Sequence, residues 1–230
     1  TEVKISDEGE LIYRQPGVFV GYHKDPQKTD AVLKDGWFHS GDSGFIREDG
    51  HIVFVDRIKD LMELSGGHKV APQFLESRLR FSPYIKDAWV LAGPEGAYVS
   101  AIIIINYDNV SRWAGQKRVA YTSFGELSQA PEVYELVRQD IDRVNRTLPP
   151  GSQVKKYVNL HKEFDPDEAE LTRTRKLRKI FLAERYRELT DAVYADKSEV
   201  PIEARAGDRD EHTGTINITI RIESVEGAGG

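Results

Sequence analysis

The spacing of apolar positions changes along the chain, and each change marks a part. Leu11-Ile12-Tyr13 and Val18-Phe19-Val20 are short apolar runs set off by Gly9, Pro16 and Gly17, a strand-and-turn pattern. Phe45 to Val55 reads as a hairpin turning at Asp49-Gly50, where glycine tolerates a positive φ. Residues 1–56 therefore predict β-structure with open edges and few residues to bury. Such a piece is expected to be the end of a larger, β-rich, barrel-like body.

From Arg57 to Ala195 the period lengthens. Pro72 suits the first turn of a helix running to Phe81, with Leu75 and Leu79 spaced i, i+4. Two strands follow, over 88–92 and 99–105, the second apolar enough to be buried on both faces. Val133, Leu136, Val137, Ile141, Val144 and Leu148 form a 3.6-residue stripe, ended by Pro149-Pro150-Gly151. Val154–Leu160 is a further strand, and 179–194 a last helix with Ile180, Leu182, Tyr186, Leu189 and Val193 inward. Helices beside a small sheet give an α+β class. Residues 196–212 are polar and predict a linker; beyond it Ile216, Ile218, Ile220 and Ile222 alternate with polar residues as one strand.

Composition narrows the function. The chain has 230 residues, 39% hydrophobic and 30% charged, as a soluble globular protein does, and its net charge of -6 disfavours a dominant nucleic-acid surface. It has no cysteine, which fits a reducing, cytoplasmic setting. The longest apolar run, Ala101–Ile105, is far short of the ~20 residues a membrane helix needs. With Met62 the only methionine, Thr1 is not a translation start, and upstream sequence is expected. The six histidines show no metal-ligand spacing, so no metal site is assigned.

Three segments carry candidate chemistry. The first is Asp35-Gly36-Trp37-Phe38-His39-Ser40-Gly41-Asp42-Ser43-Gly44. Taken alone, Gly41-Asp42 is a common turn. The second is Asp56-Arg57-Ile58-Lys59-Asp60, then Ser65-Gly66-Gly67-His68-Lys69. Taken alone, Arg57 reads as a surface arginine pairing with Asp56 or Asp60, and Gly66-Gly67 as a tight turn. The third is Leu171-Thr172-Arg173-Thr174-Arg175-Lys176, opening a stretch with five basic residues in seven over 173–179. That stretch reads as a solvated helix start or as a patch for an anionic ligand.

In this order the three segments resemble the carboxyl-terminal portion of the acyl-adenylate-forming enzymes, from about residue 9 to residue 195. The residue Asp56, the extra residue between Arg57 and Val70-Ala71-Pro72, and the long 106–147 insert resemble the long-chain fatty acyl-CoA synthetases within that family. The resemblance implies that Asp42 and Arg57 hold the nucleotide ribose and that Lys59 is a hinge. It also implies that Gly66 and Gly67 line the CoA channel and that Lys176 is the catalytic lysine of adenylation. Ser40, Glu63 and Arg173 stand where the family usually has threonine, lysine and proline.

The division so implied is 1–56 as the end of the large amino-terminal domain, 57–195 as a small mobile domain, and 196–230 as linker and terminal strand. The whole enzyme would use ATP, CoA and Mg²⁺ on a fatty acid, with no cofactor required by this portion alone. Its partners would be the absent amino-terminal domain and the small-molecule substrates, not nucleic acid, with peripheral membrane association left open. The alternatives are a ligase for aryl or amino acids, or a non-catalytic module for an anionic ligand.

Overall fold

A computed structural model describes residues 1–92, 98–195, 197–205 and 215–225, with backbone only at 203–205 and 215–216. Helix and strand are mixed, and the sheets stay open, with no closed barrel among the described residues. The chain divides into two compact units: residues 1–62 with 69–74, and residues 63–68 with 75–230.

The first unit is a five-stranded antiparallel sheet. Strands β1 (Glu2–Ile5), β2 (Glu10–Arg14), β4 (Trp37–Ile46) and β3 (Leu33–Lys34) lie in that spatial order, and β5 (Ile52–Arg57) also pairs with β4. Not all of 1–56 is β-structure: Pro26–Val32 is a helix, α1. The Asp25 side chain accepts from the Lys28 amide at 3.0 Å, and Pro26 fills the first turn. An N-cap followed by proline thus outweighs the β-reading there. Val18-Phe19-Val20, expected as a strand, forms none.

One carboxylate fixes the irregular middle of β4. Its register against β2 shifts between Glu10 and Ile12, and Gly41 takes a φ of 72°. Glu10 accepts from the Gly41 amide at 2.7 Å through Oε1, and its Oε2 lies 2.7 Å from His39 Nδ1. Ser40 Oγ donates to the Leu11 carbonyl at 2.6 Å and accepts from the Asp42 amide at 3.0 Å. The backbone around Asp42 is therefore held from both sides.

The second unit packs around a four-stranded sheet of order β13-β10-β9-β8. Two short strands, β6 (Met62–Glu63) and β7 (Lys69–Val70), and helix α2 (Pro72–Leu79) precede β8 (Ile85–Leu91) and β9 (Val99–Ile105). All seven residues of β9 are buried, as its unbroken apolar run predicts. After β9 come α3 (Tyr107–Lys117), α4 (Phe124–Gln129) and α5 (Pro131–Asn145), then β10 (Val154–Asn159), which runs parallel to β9. The α5 stripe is buried as expected at Val133, Leu136, Val137 and Ile141.

The expected helix 179–194 is two, α6 (Lys179–Arg185) and α7 (Arg187–Tyr194), broken at Tyr186, whose hydroxyl donates to buried Glu170 at 2.7 Å. Ile180, expected inward, is 82% exposed. Lys179 faces in to pair with Glu76 at 2.7 Å, and Leu182 three residues on shares that face, which turns Ile180 outward. Residues 199–205, read as polar linker, form a strand, β11 (Glu199–Arg205), antiparallel to β12 (Thr215–Arg221). The rest of that stretch, 206–212, lies outside the described residues. The isoleucine strand therefore has its partner. Val200, Ile220 and Ile222 enter the same core as Trp89, Ile102 and Leu182, and β13 (Glu223–Ser224) joins β10.

Two outcomes follow from these contacts. Glu10→Ala removes both anchors of the β4 bulge and is expected to destabilise the chain by about 1–3 kcal/mol in urea unfolding. Exchange of the Gly41 amide should rise with it. The second concerns His161, just after β10, which is 7% exposed and whose Nδ1 has no hydrogen-bond partner among the described residues. Burial, with Lys162 and Arg185 nearby, lowers its pKa to about 4. The unfolded chain then binds the extra proton first, so stability falls as pH drops from about 6.5 towards 4, by at most ~3 kcal/mol. His161→Phe should flatten the stability–pH curve in that window; an unchanged slope would assign it to other groups.

Candidate functional site

Asp42 and Arg57 are brought together by register. They are directly opposed on β4 and β5, and Arg57 Nη1 lies 3.0 Å from Asp42 Oδ1. The contact is one of charge: Nη1 also donates to the Ser40 carbonyl at 3.0 Å, while Asp42 Oδ1 is screened from solvent and receives no hydrogen bond. A carboxylate oxygen in that condition can still accept. The adjacent pair Ser43 and Asp56 continues the ladder. Asp56 is fully buried, accepting from the Arg57 amide at 2.8 Å and the Gln73 amide at 2.9 Å. The Arg57 backbone is thus fixed although half of its side chain is exposed.

Lys59 lies two residues beyond Arg57 in a single 3₁₀ turn, Ile58–Asp60, closed by the Leu61 amide on the Ile58 carbonyl at 3.3 Å. It is exposed, while Ile58 and Leu61 are half-buried on either side.

In the second unit, Gly66 and Gly67 form the tip of a tight turn. The Gly67 amide donates to the Leu64 carbonyl at 2.8 Å, the Leu64 amide to the His68 carbonyl at 2.9 Å, and Gly67 has a φ of 75°. Gly66 lines a cleft of about 100 Å³ with His68, Tyr98, Gly151, Gln153 and Lys155. A methyl group on Gly151 would come within 3.0 Å of the His68 ring, so the cleft depends on that glycine having no side chain.

Lys176 stands at the end of a short hairpin. Leu171 bridges Leu177, the Thr172 amide donates to the Lys176 carbonyl at 2.8 Å, and Thr172 Oγ1 accepts from the Lys176 amide at 3.0 Å. Arg175 closes the turn with a φ of 58°. Arg173, Arg175 and Lys176 are exposed and make no ion pair with any described residue. The hairpin therefore presents unneutralised positive charge.

The sequence singled out Asp42, Arg57, Lys59, Gly66, Gly67 and Lys176. The structure joins the first two directly, sets Lys59 beside them along the chain, and places the other three in the second unit. Sequence reasoning missed two carboxylates: Glu10, half-buried behind Asp42, and Glu170, buried behind Lys176. Their only signal is long range: each is recognised by its partners, not by its neighbours in sequence.

Known proteins resemble this chain in sequence and fold. Residues 59–198 match the model of the AMP-binding enzyme C-terminal domain. The long-chain-fatty-acid–CoA ligase FadD15 of Mycobacterium tuberculosis is 32% identical over 193 residues, which are 84% of this chain and 32% of that protein. Human long-chain-fatty-acid–CoA ligase 1 is 34% identical over 192 residues, 82% of this chain and 27% of that protein. The chain thus spans about a third of the length of these relatives. The adenylation domain of a Mycobacterium chelonae carboxylate reductase shares the fold with a TM-score of 0.62 at 24% identity, covering 85% of this chain and 31% of that one. With more than half of its length matched by one family model, this chain belongs to the family of AMP-binding enzyme C-terminal domains.

Proposed function

We propose that this chain is the carboxyl-terminal part of an ATP-dependent long-chain fatty acid–CoA ligase. In the first half-reaction a fatty carboxylate oxygen attacks the α-phosphorus of ATP, the bond to the leaving pyrophosphate breaks, and acyl-AMP forms. In the second, the CoA thiol gives up its proton as sulfur attacks the acyl carbon, and AMP leaves. Bound Mg²⁺ would supply charge neutralisation on the phosphates.

The single observation that carries the nucleotide reading is the cross-strand pair of Asp42 and Arg57, a carboxylate and a guanidinium 3.0 Å apart. The carboxylate suits the paired hydroxyls of a ribose, with Arg57 as the adjoining donor. Lys59, exposed on a three-residue turn, is the pivot in this reading, since solvent satisfies its charge in either conformation. The bare backbone at Gly66 and Gly67 suits the thin pantetheine arm of CoA. The unpaired ammonium of Lys176 suits the negative charge that grows on the α-phosphate and pyrophosphate during attack.

The reading also assigns the chain a partner, the amino-terminal body of the same polypeptide. Phe45, Ile46, Ile52 and Phe54 of the β4–β5 hairpin are each between 42% and 51% exposed, and Phe45 and Ile46 point to opposite faces. Apolar side chains uncovered on both faces of a hairpin call for a protein neighbour. The fatty acid substrate rests on the relatives' names and on the long insert between β9 and β10, which holds α3, α4 and α5.

The test uses the longer polypeptide. Palmitate-dependent pyrophosphate exchange and CoA-dependent AMP release are expected, and activity with aryl or amino acids only would replace the fatty acid assignment. Lys176→Ala should slow adenylate formation by about 10²–10³-fold while leaving thioester formation from preformed acyl-AMP nearly intact. Equal loss in both steps would show that this lysine does not belong to one half-reaction.

A further inference from the structure

The hairpin that carries Lys176 is anchored at its root by a side chain with no solvent exposure. We propose that Glu170 is the positioning residue of this hairpin, a buried carboxylate that aims Lys176 without touching any substrate.

The Glu170 carboxylate accepts three hydrogen bonds and faces one further cation. Oε2 receives Lys162 Nζ at 3.0 Å and the Asp165 amide at 2.8 Å. Oε1 receives the Tyr186 hydroxyl at 2.7 Å and lies 3.2 Å from Arg185 Nε. These four groups come from three places: the segment after β10, the turn that begins the hairpin, and α6 with the break that follows it. Of the about four lone-pair directions a carboxylate offers, three take hydrogen bonds, and the Arg185 charge lies beside Oε1. Glu168 shares the load, since its Oε2 takes Lys162 at 2.6 Å and also Arg185.

The backbone of the same residue closes the hairpin. The Glu170 carbonyl accepts from the Arg178 amide at 2.9 Å, and Arg178 Nη1 donates to the Ala169 carbonyl at 3.1 Å. Three rungs thus lie in sequence: Glu170 with Arg178, Leu171 with Leu177, and Thr172 with Lys176. Leu171 and Leu177 pack on the core as partly buried residues, so the apolar rung alone is a weak hold. The Glu170 side chain converts the first rung into a fixed point on the body of the domain. From there only one residue pair, Leu171 with Leu177, separates it from the rung of Lys176.

Charge separates the root from the tip. Lys162 and Arg185 are saturated by Glu168 and Glu170, whereas Arg173, Arg175 and Lys176 make no ion pair with any described residue. A hairpin built this way holds its cations in place and leaves them available. Gln at position 170 would turn one oxygen into a donor facing two donors, while keeping size and shape.

The inference rests on the proposed role of Lys176 for its functional arm, but its structural arm does not. In the 230-residue chain, Glu170→Gln should raise amide exchange across 171–178 by about tenfold while exchange in β9 stays unchanged. Tyr186→Phe, which removes one of the three hydrogen bonds to Glu170 and keeps the charge, should raise the same segment by about threefold. It also serves if Glu170→Gln does not fold. Unchanged exchange across 171–178 in both variants, or a parallel rise in β9, would overturn the proposal. In the longer polypeptide, Glu170→Gln should lower kcat for acid-dependent pyrophosphate exchange at least tenfold with the KM for ATP within about twofold, and spare the thioester step. Glu170→Asp should recover part of that loss. Equal loss in both steps, or no recovery by aspartate, overturns the positioning role. A wild-type enzyme with no exchange on any acid sinks the proposed function instead, and the amide-exchange result still decides the anchor.

Discussion

Strand β9 is buried on both faces along its whole length, and the second unit is built to meet that condition. A strand with water on neither side must have its ladder complete and its side chains covered above and below. The ladder is supplied by β8 in antiparallel and β10 in parallel pairing. A parallel pair requires a long crossover, and the stretch holding α3, α4 and α5 provides it. One side of the cover includes α6, α7 and the late strands β11 and β12, whose Val200 and Ile220 join Ile102 and Ile104 in one cluster. Ser100, the one hydroxyl in β9, donates to Tyr194 at 2.8 Å, so even the exception is satisfied.

Around this apolar centre the irregular segments are fastened by buried polar side chains. Glu76 accepts the Val90 amide at 3.0 Å and Lys179 at 2.7 Å, which ties α2 to β8 and to the start of α6. Burial pushes its carboxyl above the usual range despite the lysine's pull, a measure of what the position costs. Asn145, at the end of α5, meets both backbone groups of Val154 at 2.9 Å and so starts β10 in register. Asp56 and Glu10 act likewise in the first unit, and Glu170 in the hairpin of Lys176. A polar side chain used in this way fixes a single geometry, because its donors and acceptors have directions that apolar contacts lack.

This division explains what the sequence could tell. The β9 run, the α5 stripe and the Asp49-Gly50 turn were legible because each follows from local periodicity or turn chemistry. Helix α1 lies inside a stretch whose apolar pattern reads as β, although Asp25 caps it and Pro26 opens it. The break at Tyr186 has no local cause, as its hydroxyl answers to Glu170, sixteen residues earlier. Strand β11 reads as linker because it is charged, and it forms by pairing with β12. Of the candidate site, the ordered motifs gave Asp42, Arg57 and Lys176, while Glu10 and Glu170, which hold the backbone behind them, left no local mark.

The two candidate centres therefore share one design. At Asp42 an anion keeps a free acceptor because Glu10, Ser40 and Asp56 already satisfy the backbone around it. At Lys176 a cation stays unpaired because Glu168 and Glu170 are spent on Lys162 and Arg185. The cations at the root are met within the root, and among the described residues Lys176 at the tip meets no carboxylate. Stability and availability usually compete for the same charge; here they are assigned to different residues a few positions apart.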